Sequence, residues 1–173
     1  NSKNVGVVFD NYLINEEIKK FDSFDEIGLK DKILRGIYGY GFETPSPVQR
    51  LAIKPMLEKK DMIIQSHSGT GKTGTFMIGL LSNINEKLKE TQAIVIAPTR
   101  ELANQIFEVF KNLSRYTKIT GTLCIGGTLK NRYSYFKETD EHIIIGTPGR
   151  ISDLINKKVI KTQSVHMVVI DEA

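Results

Sequence analysis

The chain has 173 residues, 40% apolar and 25% charged, with a formal net charge of +4 and one cysteine. That is the size of one domain with a full core; the lone Cys124 excludes an internal disulfide and suits a reducing compartment. No apolar run is long enough to span a membrane, and the mild positive charge permits a polyanionic partner without demanding one.

Asn1 to Lys20 shows no clear periodicity and reads as a flexible arm. Its first ten residues have no basic region followed by a long apolar stretch, so no signal peptide is expected. The chain does not start with Met and stops just after an apolar run, at Asp171-Glu172-Ala173; the expectation is a piece of a longer protein, with 21–173 as one domain. Helical spacing follows over about Lys30 to Tyr40 and Ser46 to Glu58. Met62 to Gln65 reads as a first strand. After Gly71, residues Phe76, Met77, Leu80, Leu81, Ile84 and Leu88 recur at helical spacing. Ala93 to Ala97 is a second strand, and Leu102, Ile106, Val109, Phe110 and Leu113 mark the helix behind it. Ile119 to Cys124, His142 to Gly146 and Met167 to Ile170 complete the strands, with shorter helices expected after Thr128 and Gly149.

The second, fourth and fifth strands are almost continuously apolar, as in a parallel sheet covered on both faces. Strand–helix alternation therefore predicts an α/β domain, a parallel sheet sandwiched between helices. Ligands in such sheets bind beyond the carboxyl ends of the strands. Segments starting at Ser66, Pro98, Gly126, Thr147 and Asp171 each follow a strand directly, so all five are expected along one edge.

Ser66-His67-Ser68-Gly69-Thr70-Gly71-Lys72-Thr73 matches the P-loop pattern, with Ser66 where the first glycine is usual. Its glycines let the backbone wrap phosphate oxygens, and the N–H groups at the following helix start bind the anion. Lys72 would reach the β- and γ-phosphates, and the Thr73 hydroxyl would ligate Mg²⁺. Asp171 and Glu172, at the end of the last strand, suit a Mg²⁺ ligand and a general base for water. Alone, an acidic pair at a strand end is a solvated turn; beside a P-loop it is the second half of an ATPase site. Thr99-Arg100-Glu101, Gly126-Gly127 and Thr147-Pro148-Gly149-Arg150 would each pass as a cap or turn. Together they repeat one design, small residues, hydroxyls or an arginine after a strand, that suits phosphates.

These pieces resemble the DEAD-box RNA helicases over about Phe21 to Ala173, in family order: Phe24, then Gly41-Phe42 with Pro45 and Gln49 (the Q motif), the P-loop, Pro98-Thr99-Arg100-Glu101-Leu102-Ala103, Gly126-Gly127, Thr147 to Arg150, and Asp171-Glu172-Ala173, cut before the final Asp. Leu34-Arg35-Gly36-Ile37-Tyr38, Thr91-Gln92-Ala93 and Cys124-Ile125-Gly126-Gly127-Thr128 are similar to the translation initiation factor 4A group, which includes a cytoplasmic initiation helicase, a nuclear exon-junction relative and a ribosome-biogenesis relative. Gly74, where that group usually has Ala, and His67 depart from the pattern. The resemblance implies a RecA-like P-loop domain of an ATP-dependent RNA helicase, using ATP and Mg²⁺. It implies that Gln49 reads adenine, that Phe42 and the Thr44 backbone lie by the base, and that Ser68, Gly69, Thr70, Gly71, Lys72, Thr73 and Gly74 hold the phosphates. Lys72, Thr73, Asp171 and Glu172 take the catalytic roles, with Thr73 and Asp171 toward Mg²⁺. Pro98, Thr99, Arg100, Gly126, Gly127, Thr147, Pro148, Gly149 and Arg150 take the sugar-phosphate backbone of RNA. The implied partners are single-stranded or short duplex RNA, a second RecA-like domain that supplies arginine fingers, and initiation- or exon-junction-type proteins. The implied address is intracellular, the cytoplasm ahead of nucleus or nucleolus. Two rivals remain open: a P-loop ATPase acting on DNA or protein, against which Gln49 and the Thr147 to Arg150 motif occur together, and a non-catalytic RNA-clamping scaffold, against which Lys72, Thr73, Asp171 and Glu172 are all present.

Overall fold

A computed structural model describes residues 20–66, 71–126 and 138–171, together with the backbone of two short strands, β1 (Gly6–Phe9) and β2 (Tyr12–Leu13). The chain divides into two compact units, one of Asn1–Asn83 with Asn112–Thr117 and one of Ile84–Lys111 with Lys118–Ala173.

In the first unit, Ser23 caps a 3-10 turn, Phe24–Ile27, whose Phe24 is fully buried. Helix α1 (Asp31–Tyr40) ends at Gly41, whose φ of 98° lets the Gly41 N–H donate to the Tyr38 carbonyl at 3.0 Å while the Phe42 N–H donates to the Ile37 carbonyl at 3.2 Å. This turn delivers Phe42 to the site. Helix α2 (Pro47–Leu57) has Pro at its first position and a capping box between Ser46 and Gln49. Its Val48, Leu51 and Ala52 pack on Met62 and Ile64 of strand β3 (Met62–Gln65). Helix α3 (Lys72–Ser82) is buried from Gly74 through Leu81. It closes on α2 where a Cβ at Gly79 would meet Met56 Cε at 2.7 Å.

Helix α3 stops at Ser82, six residues short of Leu88. The Asn83 side-chain amide donates to the carbonyls of Gly79 (3.1 Å) and Met56 (3.0 Å), which turns the chain out of the helix. Ile84 is still buried, whereas Leu88 is exposed, so its helical spacing carried no packing.

The second unit holds a four-stranded sheet in the order β5-β6-β4-β7, with β4 (Ala93–Ile96), β5 (Gly121–Cys124), β6 (Ile143–Gly146) and β7 (Met167–Ile170), all parallel. The register sets Gly121, Ile143, Ala93 and Met167 in one row, and Thr122, Ile144, Ile94 and Val168 in the next. Side chains alternate between faces. On one face Phe110 of helix α4 (Arg100–Leu113) lies where a Cβ at Gly121 would meet its ring at 2.5 Å. On the other, Ile151 and Leu154 of helix α5 (Pro148–Asn156) join Ile94, Cys124 and Ile144 in one cluster. The sheet is thus sandwiched between helices, as the apolar strands require.

Three expectations change. Met62–Gln65 does not join this sheet; it pairs in parallel with β1, which pairs antiparallel with β2, in a separate three-stranded sheet of order β2-β1-β3. The four-residue apolar run Gly6–Phe9, too short to show a period, supplies the partner, so regular structure begins inside the stretch read as an arm. Strand β5 starts at Gly121 and not at Ile119, because the Thr120 N–H donates to His142 Nδ1 at 3.0 Å instead of to a neighbouring strand. The helix expected after Thr128 lies outside the described residues. Among the described residues no helix is long and apolar enough to cross a membrane.

Candidate functional site

In the first unit, the entry to α2 is locked to the start of α3. Gln49 is 1% exposed. Its Oε1 accepts from the Ser46 N–H at 2.9 Å, and its Nε2 donates to the Gly71 carbonyl at 3.4 Å. The Thr75 hydroxyl donates to the same carbonyl at 2.8 Å. Gly71 has φ 86°, in the left-handed region that suits glycine, and a Cβ there would sit 2.8 Å from Gln49 Nε2 and 3.0 Å from Ser46 Oγ. One turn on, a Cβ at Gly74 would lie 3.0 Å from Phe42 Cε2 and 3.3 Å from Gln49 Nε2. Phe42 is half-buried, with Tyr40 edge-on to its ring at 4.9 Å. Two glycines are thus notches into which Q-motif side chains fit. Lys72 and Thr73, half-buried, occupy the first turn of α3, where backbone N–H groups lack intrahelical acceptors and the helix dipole favours an anion. Thr44 is exposed. Ser68, Gly69 and Thr70 lie outside the described residues.

In the second unit, four of the five expected segments follow strands of one parallel sheet and so share its carboxyl edge. Pro98, Arg100, Gly126, Thr147, Gly149 and Arg150 line one cleft of about 500 Å³. Thr99 starts α4: its Oγ1 accepts from the Leu102 N–H at 3.2 Å. Arg100 is exposed and reaches past β6 to the end of β5, where a Cβ at Gly126 would lie 3.3 Å from its Nη2. The Thr147 N–H donates to the Cys124 carbonyl at 3.1 Å, but its hydroxyl does not cap α5. Pro148 opens α5 without an N–H to satisfy. Gly149 has nothing within 4 Å of where a Cβ would stand, so its backbone is open to the cleft. Asp171 is 5% exposed, its N–H donating to the Ile96 carbonyl at 3.0 Å. Gly127 and Glu172 lie outside the described residues.

Sequence reasoning missed Asp153, which also lines the cleft. Its carboxylate accepts from Arg150 Nη1 at 2.7 Å and from Lys157 Nζ at 3.0–3.1 Å. The i, i+3 and i, i+4 spacing on α5 was the available signal. The Lys157 ammonium, with Arg150 beside it, holds the Asp153 carboxyl below its ordinary range. Ser46 was missed as well; it reads as an ordinary cap until its place against Gly71 is seen.

The layered parallel sheet, with phosphate-suited segments at its carboxyl edge, defines a RecA-like α/β domain. Residues 46–173 match the DEAD/DEAH box helicase family, and the chain belongs to that family. It is 51% identical over 151 residues to "ATP-dependent RNA helicase eIF4A" of Yarrowia lipolytica, covering 87% of this chain and 38% of that protein. It is 48% identical over 153 residues to "Eukaryotic initiation factor 4A" of Drosophila melanogaster, covering 88% and 38%. Among solved structures, S. cerevisiae Dbp5 bound to RNA and ADP BeF3 matches with a TM-score of 0.79 and 38% identity, over 87% of this chain and 38% of that one. A DEAD box protein from the hyperthermophile Methanococcus jannaschii matches with a TM-score of 0.76 and 30% identity, over 88% and 42%. The chain thus spans under two fifths of the length of these curated relatives.

Proposed function

We propose that this chain is the ATP-binding part of an RNA-stimulated ATPase that couples hydrolysis to RNA binding and local duplex unwinding, in translation initiation or in mRNA or rRNA processing. The observation that carries the reading is the cleft of the second unit. It gathers two arginines, a hydroxyl and an open glycine backbone, groups that grip phosphate and carry no base-reading pattern of their own. A helicase that must act on any sequence needs that kind of grip. Dbp5, a relative of known structure, was solved bound to RNA and ADP BeF3, which supports the pairing of nucleotide with RNA.

Nucleotide phosphates fit the first turn of α3, with Lys72 opposing the β- and γ-phosphate charge. The residues suit a Mg²⁺ nucleotide: Thr73 and Asp171 would supply the oxygen donors the ion takes, and the ion would neutralise charge on the transferred phosphoryl group. Glu172 is the proposed base for water. Gln49 has one amide hydrogen and one oxygen lone pair beyond those it uses, enough for an adenine edge, and Phe42 with the Thr44 backbone borders the base. The second RecA-like domain, protein partners of the initiation or exon-junction kind, and an intracellular, chiefly cytoplasmic, address belong to the same proposal.

The test is ATP turnover by the intact protein with RNA, with DNA of the same sequence, and with neither. RNA should stimulate and DNA should not. Lys72→Ala should lower turnover or nucleotide affinity by about 10- to 100-fold, the worth of a lost charged contact. An unchanged Lys72→Ala rate would remove the P-loop assignment; equal stimulation by DNA, or none by RNA, would favour the rival ATPase.

A further inference from the structure

The cleft contains one group that a purely attractive phosphate site would not have, the carboxylate of Asp153. It is bracketed by two cations, one on its own helix and one at that helix's C-cap: Arg150 Nη1 donates to Oδ2 at 2.7 Å, and Lys157 Nζ stands 3.0 Å from Oδ1. The Arg150 side chain is 19% exposed and so is held against the protein, whereas the Asp153 side chain is open to solvent. Arg100, across the same cleft, is exposed and has no carboxylate partner among the described residues. The two arginines are therefore not equivalent: one faces the cleft unengaged, the other has an edge of its guanidinium taken.

We propose that Asp153 is an internal counter-ion that occupies Arg150 and weakens the cleft's hold on phosphate, so that RNA is gripped loosely enough to be released. The inference rests on reading the cleft as an RNA site. A phosphate entering the cleft competes with Asp153 for Arg150, and on release the carboxylate takes the guanidinium back without recruiting an ion from solvent. Lys157 keeps the carboxylate in place when Arg150 turns away.

The test is binding of a labelled single-stranded oligouridylate to the intact protein by anisotropy, over about 50 to 300 mM KCl. Asp153→Asn keeps the shape and removes the charge. It should tighten binding by about 3- to 10-fold and steepen the log–log salt slope by about 0.7, one further phosphate contact on a single strand. Asp153→Glu should return toward the wild-type slope. In an Arg150→Ala background, Asp153→Asn should change little, because the counter-ion has nothing left to hold. Circular dichroism and a melting curve check that each variant is folded. Unchanged or weaker binding by folded Asp153→Asn would overturn the proposal and make Asp153 a positioning group for Arg150. Equal tightening in the Arg150→Ala background would also overturn it, in favour of a general field effect. Wild-type binding that is absent or indifferent to salt would instead remove the RNA reading of the cleft, and this inference with it.

Discussion

At the scale of single residues, the Q-motif junction turns on what two glycines leave out. Gly71 admits Gln49 and Ser46, and Gly74 admits Phe42 and the Gln49 amide. Sequence named Gln49 and Phe42 as neighbours of the base, but not that the Gln49 amide braces the carbonyl ending the P-loop; that hydrogen bond joins positions 22 residues apart. Gly74→Ala puts a methyl 3.0 Å from the Phe42 ring. Alanine favours the helix by about 1 kcal/mol, and the half-buried ring can yield outward, so the fold should hold. The 4A-like group that the chain resembles usually carries Ala at this position, so the ring should re-seat and ATP affinity should stay within about 3-fold of wild type. A calorimetric titration showing a loss of about 1–2 kcal/mol for ATP, with inorganic tripolyphosphate bound as before, would mean that Phe42 has no room beside a methyl and that its place governs base binding.

At the scale of elements, the tightest fit is between β5 and β6. A Cβ at Gly146 would sit 2.1 Å from the Cys124 carbonyl oxygen, an atom of rigid backbone. Strand β6 lies between β5 and β4, so it has no free side toward which to shift. Gly146→Ala should cost more than about 3 kcal/mol and lower the melting temperature by more than about 6 °C. Gly149→Ala, with open space around it, should leave the melting temperature near that of wild type. A melting curve of Gly146→Ala within about 2 °C of wild type would show that β5 gives way. The strands at 62–65 and 167–170 were legible to the residue because polar side chains bound them: Asp61 and Ser66, His166 and Asp171. The sheet that Met62–Gln65 joins was not legible, since pairing with Gly6–Phe9 is a long-range choice that local periodicity does not encode. The cleft was legible through its motifs. Asp153 was not, because an acidic residue on an amphipathic helix reads as solvated surface until the loops around it are placed.

At the scale of the whole molecule, the chain holds one part of a family whose relatives are more than twice as long. The second domain proposed above would contribute an arginine finger, worth about 10³–10⁵ in rate. Residues 1–173 alone should therefore bind adenine nucleotides weakly and hydrolyse ATP negligibly, even with saturating RNA. A multiple-turnover assay in which they matched the intact protein would mean a self-contained ATPase. The strand order has one more consequence, in time. Strand β4 is buried and apolar, yet its ladder partners begin at Ile143 and Met167, roughly 50 and 75 residues later in the chain. On a ribosome adding about 5–20 residues per second, β4 waits roughly 3–10 s for its first neighbour and 4–15 s for its second. Throughout that interval a sticky, hydrogen-bond-hungry segment is loose in a crowded cell, so the nascent chain has a window of aggregation risk that the finished sheet no longer displays.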